Sequence, residues 1–136
     1  MPGRFETIET SKSRVATDGV RNTARRIAAT WFLDCEQAPG FEACATIAQM
    51  AGKQSLLAGL DAMNRWDGEA RLNDIIAQTL VIWGDRDRTY PWPQVQKLWQ
   101  AIPNTSLAVI PNCAHVPHLE SPDVFNPILK GFVTKA

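Results

Sequence analysis

No charge of one sign predominates in this 136-residue chain: fourteen Lys and Arg residues balance fourteen Asp and Glu residues. That balance removes the electrostatic case for nucleic acid or an anionic membrane surface as partner. No apolar run approaches the roughly 18 to 20 residues that a membrane-spanning helix needs. The opening, MPGRFETIETSKSR, has no apolar core of signal-peptide type. Cysteine is scarce and odd in number; Cys35, Cys44 and Cys113 show no CxxC spacing, so neither a disulfide framework nor a zinc site is indicated. Reduced thiols in a cytoplasmic protein are the expectation. Nor is there an internal repeat or a low-complexity segment. What remains is an ordinary globular composition, 45% hydrophobic and 21% charged. The length suits one domain able to bury roughly two thirds of its unfolded surface.

Along the chain, residues 1–17 mix charged and small polar residues without a period and read as a polar lead-in. Residues 18–76 read as helical. Asp18 stands at an N-cap position before VRNTARRIAATWFLD, where Val20, Ala24, Ile27, Ala28 and Trp31 recur at helical spacing. QAPG interrupts the pattern. A short helix over 41–50 follows, then a longer one over 53–66 with Leu56, Leu57, Leu60 and Met63 in one stripe. A last helical turn fits 71–76.

From residue 77 to the end the pattern changes to β-α-β-α. Leu80-Val81-Ile82-Trp83 lacks polar alternation, as in a strand covered on both faces, and runs into Gly84 and a turn that presents Asp87. Pro91 or Pro93 suits the first turn of a helix whose Val95, Leu98, Trp99 and Ile102 form its buried side. Leu107–Ile110 is a second strand, followed by a turn that presents His115. The final helix opens with Ser121-Pro122-Asp123 and carries Val124, Phe125, Ile128, Leu129 and Phe132 inward. One helix between two strands makes a parallel βαβ unit, so Asp87 and His115 emerge along the same carboxyl edge of the sheet, where ligands bind in open α/β folds.

Three features in order, I-x-x-x-TLVIWGDRD at 75–87, IPN at 110–112 and AHVPHLESP at 114–122, resemble the carboxyl-terminal half of the α/β-hydrolase family. Residues 18–66 are similar to the helical cap of such enzymes. The resemblance implies a truncated α/β-hydrolase fold: a cap-like helical segment followed by a unit with two parallel strands. It also implies that Asp87 is the acid and His115 the base of a catalytic triad. The chemistry suits them, because an imidazole takes a proton from a hydroxyl while a carboxylate fixes its tautomer and stabilises the imidazolium. The resemblance favours Asp87 over Asp85, since the acid lies three residues beyond the strand-ending glycine. His118 is implied as a packing or hydrogen-bonding neighbour of the active-site histidine.

The pattern departs from the family in one decisive respect. A nucleophile elbow needs G-x-S-x-G or a close variant, and the chain has none; Ser11, Ser13, Ser55, Ser106 and Ser121 lack the glycine setting. Asp61 in Gly59-Leu-Asp-Ala-Met63 is the nearest imitation, but it sits inside an amphipathic helix. The expectation is an acid–histidine pair without hydrolytic activity alone. The alternative is one part of an esterase-like serine hydrolase whose nucleophile comes from another chain or an amino-terminal half. A weaker third reading is simple acid–base chemistry on a small ligand. His115 and His118 with Asp85, Asp87 and Glu120 fall short of the three or four converging ligands that zinc needs, so neither metal nor cofactor is expected. The tryptophans suit core packing, with Trp92 as the exception that could line a pocket for a small apolar ligand. Two strands alone leave open edges and a bare face, so a homodimer covering the missing half of the sheet is expected.

Overall fold

The computed structural model describes residues 6–134. Of the lead-in expected over 1–17, residues 1–5 lie outside the described part, and most of the remainder is helix: α1 (Ile8–Thr17). Its N-cap is Thr7, whose hydroxyl accepts the Thr10 amide at 3.1 Å and so satisfies a free first-turn donor. Ile8 and Val15 face inward with Ser11 between them. Ser11 is polar but 2% exposed, its hydroxyl donating to Glu6 at 2.5 Å. A buried stripe with a serine at its centre does not register as an apolar period, which is why this helix escaped the pattern.

Three helices complete the cap-like part: α2 (Gly19–Ala29), α3 (Phe41–Ala48) and α4 (Lys53–Arg65). Asp18 precedes α2 as expected, yet its side chain makes no cap bond; it accepts from Thr17 and Arg14 instead. The main core joins Ala28, Ala29, Phe32, Ala38, Phe41, Ala45 and Val116. Phe32 and Phe41 meet edge to face at 5.8 Å and 86°, a favoured aromatic geometry; burying each such side chain contributes about 1.5–3 kcal/mol. Val116 enters this core from the other end of the chain, one residue after His115. The helical segment and the histidine loop therefore share one hydrophobic nucleus.

A 3-10 turn at Glu69–Asp74 stands where a helical turn was expected over 71–76. The rest runs β1 (Thr79–Gly84), α5 (Trp92–Ala101), β2 (Thr105–Ile110), a four-residue α6 (Pro117–Glu120) and α7 (Pro122–Val133). The two strands are parallel, in register from Thr79 opposite Thr105 to Gly84 opposite Ile110. Two expectations fail here. Leu80–Trp83 are half-buried rather than covered on both faces. The stripe read as the inward side of α7 has no buried member, with Val124 43% and Leu129 40% exposed, and Trp99 on α5 is 40% exposed. Both stripes are helical in period but only partly covered among the described residues: Val95 on α5 and Ile102 at its end are buried and Phe125 of α7 is half-buried, while Trp99, Val124 and Leu129 stay exposed.

Candidate active site

Both candidate residues lie on turns beyond the carboxyl ends of β1 and β2, and the backbone stitches the turns together. The Asp85 amide donates to the Ile110 carbonyl at 3.1 Å and the Arg86 amide to the Cys113 carbonyl at 2.9 Å. Gly84 permits this approach: a Cβ there would stand 2.2 Å from the Ala114 oxygen and 2.4 Å from the Cys113 oxygen. On the opposing side Asn112 turns the chain at φ 54°, a left-handed conformation that asparagine tolerates better than most residues.

Asp87 uses its two oxygens differently. Oδ1 accepts the Thr89 amide at 2.7 Å and the Tyr90 amide at 3.1 Å, as an aspartate in a turn ordinarily does. Oδ2 lies 3.0 Å from Nδ1 of His115. The aspartate side chain is 5% exposed and the histidine side chain 30%, so a nearly buried carboxylate with three partners holds a half-open imidazole. Asp87 and His115, separated by 28 positions, are thus brought into direct contact. A carboxylate facing Nδ1 favours the tautomer with the ring proton on that nitrogen, which leaves Nε2 as the acceptor.

The imidazole is held from other directions as well. Its backbone N–H donates to the Trp31 carbonyl at 2.9 Å. Trp31 and Tyr90 flank the ring, with centroids 6.2 and 5.2 Å away. Neither aromatic was singled out for the site from the sequence; Tyr90, three residues beyond Asp87, was the readable signal. Trp92, expected as the tryptophan that could line a pocket, stands between Trp83 at 5.4 Å and Trp99 at 6.5 Å. Trp83 is fixed in turn by its Nε1–H bond to the Tyr90 carbonyl at 3.0 Å.

The remaining candidates lie elsewhere or have other partners. Asp61 on α4 pairs with Lys12 at 2.7 Å. The His118 ring packs on Phe125 at 5.7 Å. Glu120 accepts two backbone amides. Among the described residues no group of three or more His, Cys, Asp or Glu side chains is arranged to hold a metal ion, and no helix is long and apolar enough to cross a membrane. Cys113, two residues before His115, is 2% exposed. Burial first, then the Glu120 carboxylate, push its thiol above the usual range, which disfavours the nucleophilic thiolate.

A family model described as the alpha/beta hydrolase family matches residues 3–128. The chain belongs to that family. Among curated relatives, the 2-hydroxy-6-oxo-6-phenylhexa-2,4-dienoate hydrolase of Burkholderia cepacia is 38% identical over 71 residues, which are 52% of this chain and 25% of that protein. A putative carbamate hydrolase of Agrobacterium fabrum is 26% identical over 79% of this chain and 41% of that protein. Among solved structures, an esterase from Exiguobacterium antarcticum superposes with a TM-score of 0.85 at 16% identity, over 93% of this chain and 47% of the other. The enol-lactonase of Burkholderia xenovorans superposes with a TM-score of 0.83 at 21% identity, over 97% and 53%. The chain thus spans about half the length of the hydrolase structures it matches, and its fold is alpha/beta-hydrolase-like, with a two-stranded parallel sheet.

Proposed function

We propose that Asp87 and His115 are the acid and base of a hydrolase active site, and that the chain alone does not hydrolyse esters. The nucleophile would come from residues outside these 136, on another chain or in an amino-terminal segment. The observation that carries the proposal is the 3.0 Å contact between Asp87 Oδ2 and His115 Nδ1, made at the sheet edge where such chemistry is expected. Nε2 would take the proton of an incoming hydroxyl as it attacks the substrate carbonyl, and Asp87 would stabilise the imidazolium. The same proton would then pass to the leaving group, and water would repeat the cycle on the acyl intermediate. The similar proteins are named for a dienoate, a carbamate, an ester and an enol-lactone. They share hydrolysis rather than one substrate, so the proposal stays at that level. The aromatic walls formed by Trp31 and Tyr90 favour a small apolar group beside the histidine.

The test is to incubate the purified chain with an activated ester and with a serine-reactive phosphonate, alone and after adding an amino-terminal fragment that carries a nucleophile elbow. The expected result is silence alone and turnover after addition, abolished by His115→Ala. A stoichiometric acyl burst or a phosphonate adduct on the chain by itself would refute the proposal.

A further inference from the structure

Glu120 ends α6 and has no part in the proton transfer just described, yet it sits between the cap and the histidine. It is half-buried, and each of its oxygens accepts a backbone amide. Oε1 takes the N–H of Leu33 and Oε2 the N–H of Ala114, both at 2.6 Å. Such short bonds to an ionised acceptor are about twice as strong as neutral ones. Ala114 directly precedes His115. Leu33 belongs to the segment leaving α2, in which Trp31, Phe32 and Leu33 are each tied to the two site loops. The Trp31 carbonyl accepts the His115 amide at 2.9 Å. Arg88, one residue past Asp87, donates Nη2 to the Phe32 carbonyl at 2.7 Å and the Leu33 carbonyl at 3.2 Å.

From this convergence we infer that Glu120 is a positioning residue for His115: its carboxylate makes the setting of the imidazole depend on the seating of the cap at 31–33. The inference rests on the proposal that Asp87 and His115 form the site. The chemistry requires an acceptor at both ends, which only a carboxylate supplies. A glutamine of the same shape keeps one oxygen and turns an NH2 group toward the other amide, donor against donor. One amide is then left without a partner, and because both sit within three residues of the Trp31–His115 bond, the ring loses its fixed relation to Asp87. If Glu120 only contributed stability, the same substitution would lower the melting point and leave the ring where it is.

The experiment uses the full 136-residue chain and ring-nitrogen NMR, with no need for catalytic turnover. In the parent, His115 should hold its proton on Nδ1. In Glu120→Gln, its nitrogen shifts should move toward those of a mixed-tautomer ring, and exchange at the Ala114 or Leu33 amide should quicken roughly 10- to 100-fold, as loss of a charge-assisted bond implies. Leu60→Ala, a buried change on α4, serves as a destabilised control and should leave the ring signals unchanged. If the parent lacks the Nδ1 proton, the acid–base assignment fails and the inference falls with it. A parent that shows the proton and a Glu120→Gln variant with identical ring signals overturn the inference alone. Should that variant not fold, the parent's amides decide. Slow exchange and downfield proton shifts at both Ala114 and Leu33 support the bridge, and free exchange at either overturns it.

Discussion

Replacing Gly84 with alanine tests how closely the two loops of the site are pressed together. The new Cβ would lie 2.2 Å from the Ala114 oxygen, 2.4 Å from the Cys113 oxygen and 2.7 Å from the Cys113 carbonyl carbon, where ordinary contact begins at 3.4 Å. The histidine loop must therefore retreat by roughly 1 Å, and because the obstructing atoms are backbone, no side-chain rotation relieves the clash. Overpacking of this kind costs about 1–3 kcal/mol. The retreat also strains the Arg86–Cys113 bond of 2.9 Å, worth about 0.5–1.5 kcal/mol. Together these amount to about 1.5–4.5 kcal/mol, which for a domain of this size lowers Tm on the order of 10 °C. The movement acts on function too, since Ala114 adjoins His115 and the 3.0 Å contact to Asp87 must lengthen with it. Calorimetry gives the first effect and the His115 ring signals give the second. A variant that melts within roughly 2 °C of the parent and keeps its ring signals would show that the close approach at Gly84 does not hold the site.

Asp87→Asn keeps an oxygen for the Thr89 and Tyr90 amides but turns its NH2 toward Nδ1, so the ring proton should move to Nε2. Ring-nitrogen shifts read this directly, an unmoved proton would contradict it, and activity in a complemented hydrolase should fall roughly 10⁴-fold. The hydrogen bond from Arg25 holds the Glu42 carboxyl below its ordinary 4.5, and that from Lys12 holds Asp61 below its ordinary 3.8. A carboxyl depressed on folding contributes stability above its ordinary value and loses it as pH falls through the folded value. The urea midpoint should thus decline only on the acid side of those values, and less steeply in Glu42→Gln; an equal decline in parent and variant would show that Glu42 makes no contribution. For the isolated chain we propose that a second copy covers the open sheet. Light scattering at micromolar concentration should give a mass twice 15.1 kDa, and a single-chain mass would remove the proposal.

The paired placement of Asp87 and His115 was readable because it depends on topology: two apolar strands joined by one helix must be parallel, and their following turns must then be neighbours. Gly84 was legible as the end of a strand, whereas its reason, two carbonyls crossing where a Cβ would be, appears only in three dimensions. Glu120 was visible as one carboxylate among several near His115. Nothing in sequence spacing could reveal that it accepts the amide of Leu33, 87 positions away, because backbone amides carry no residue identity. For the same reason Trp31 was assigned to a helical stripe and not to the wall beside the imidazole. Its carbonyl, rather than its ring, makes the hydrogen bond to His115.

The apolar stripe of α7 supplies a different lesson. Val124, Phe125, Ile128, Leu129 and Phe132 recur at helical spacing, yet the helix has no buried residue. Val109 on β2 is 46% exposed and Ile76, just before β1, is 85% exposed. Exposed apolar side chains are individually unremarkable, but a periodic stripe is not an accident of surface composition, since helical amphipathicity marks a face that packs. The solved hydrolases supply the scale: the chain matches 47–53% of each of the two compared above. The failed burial expectations fall on α7 and on the exposed side of the two strands. The site residues behave in the opposite way. The Asp87 side chain is only 5% exposed and its carboxylate has three partners, so the acid–histidine pair is set by contacts within the described residues, whereas much of the α7 stripe is not.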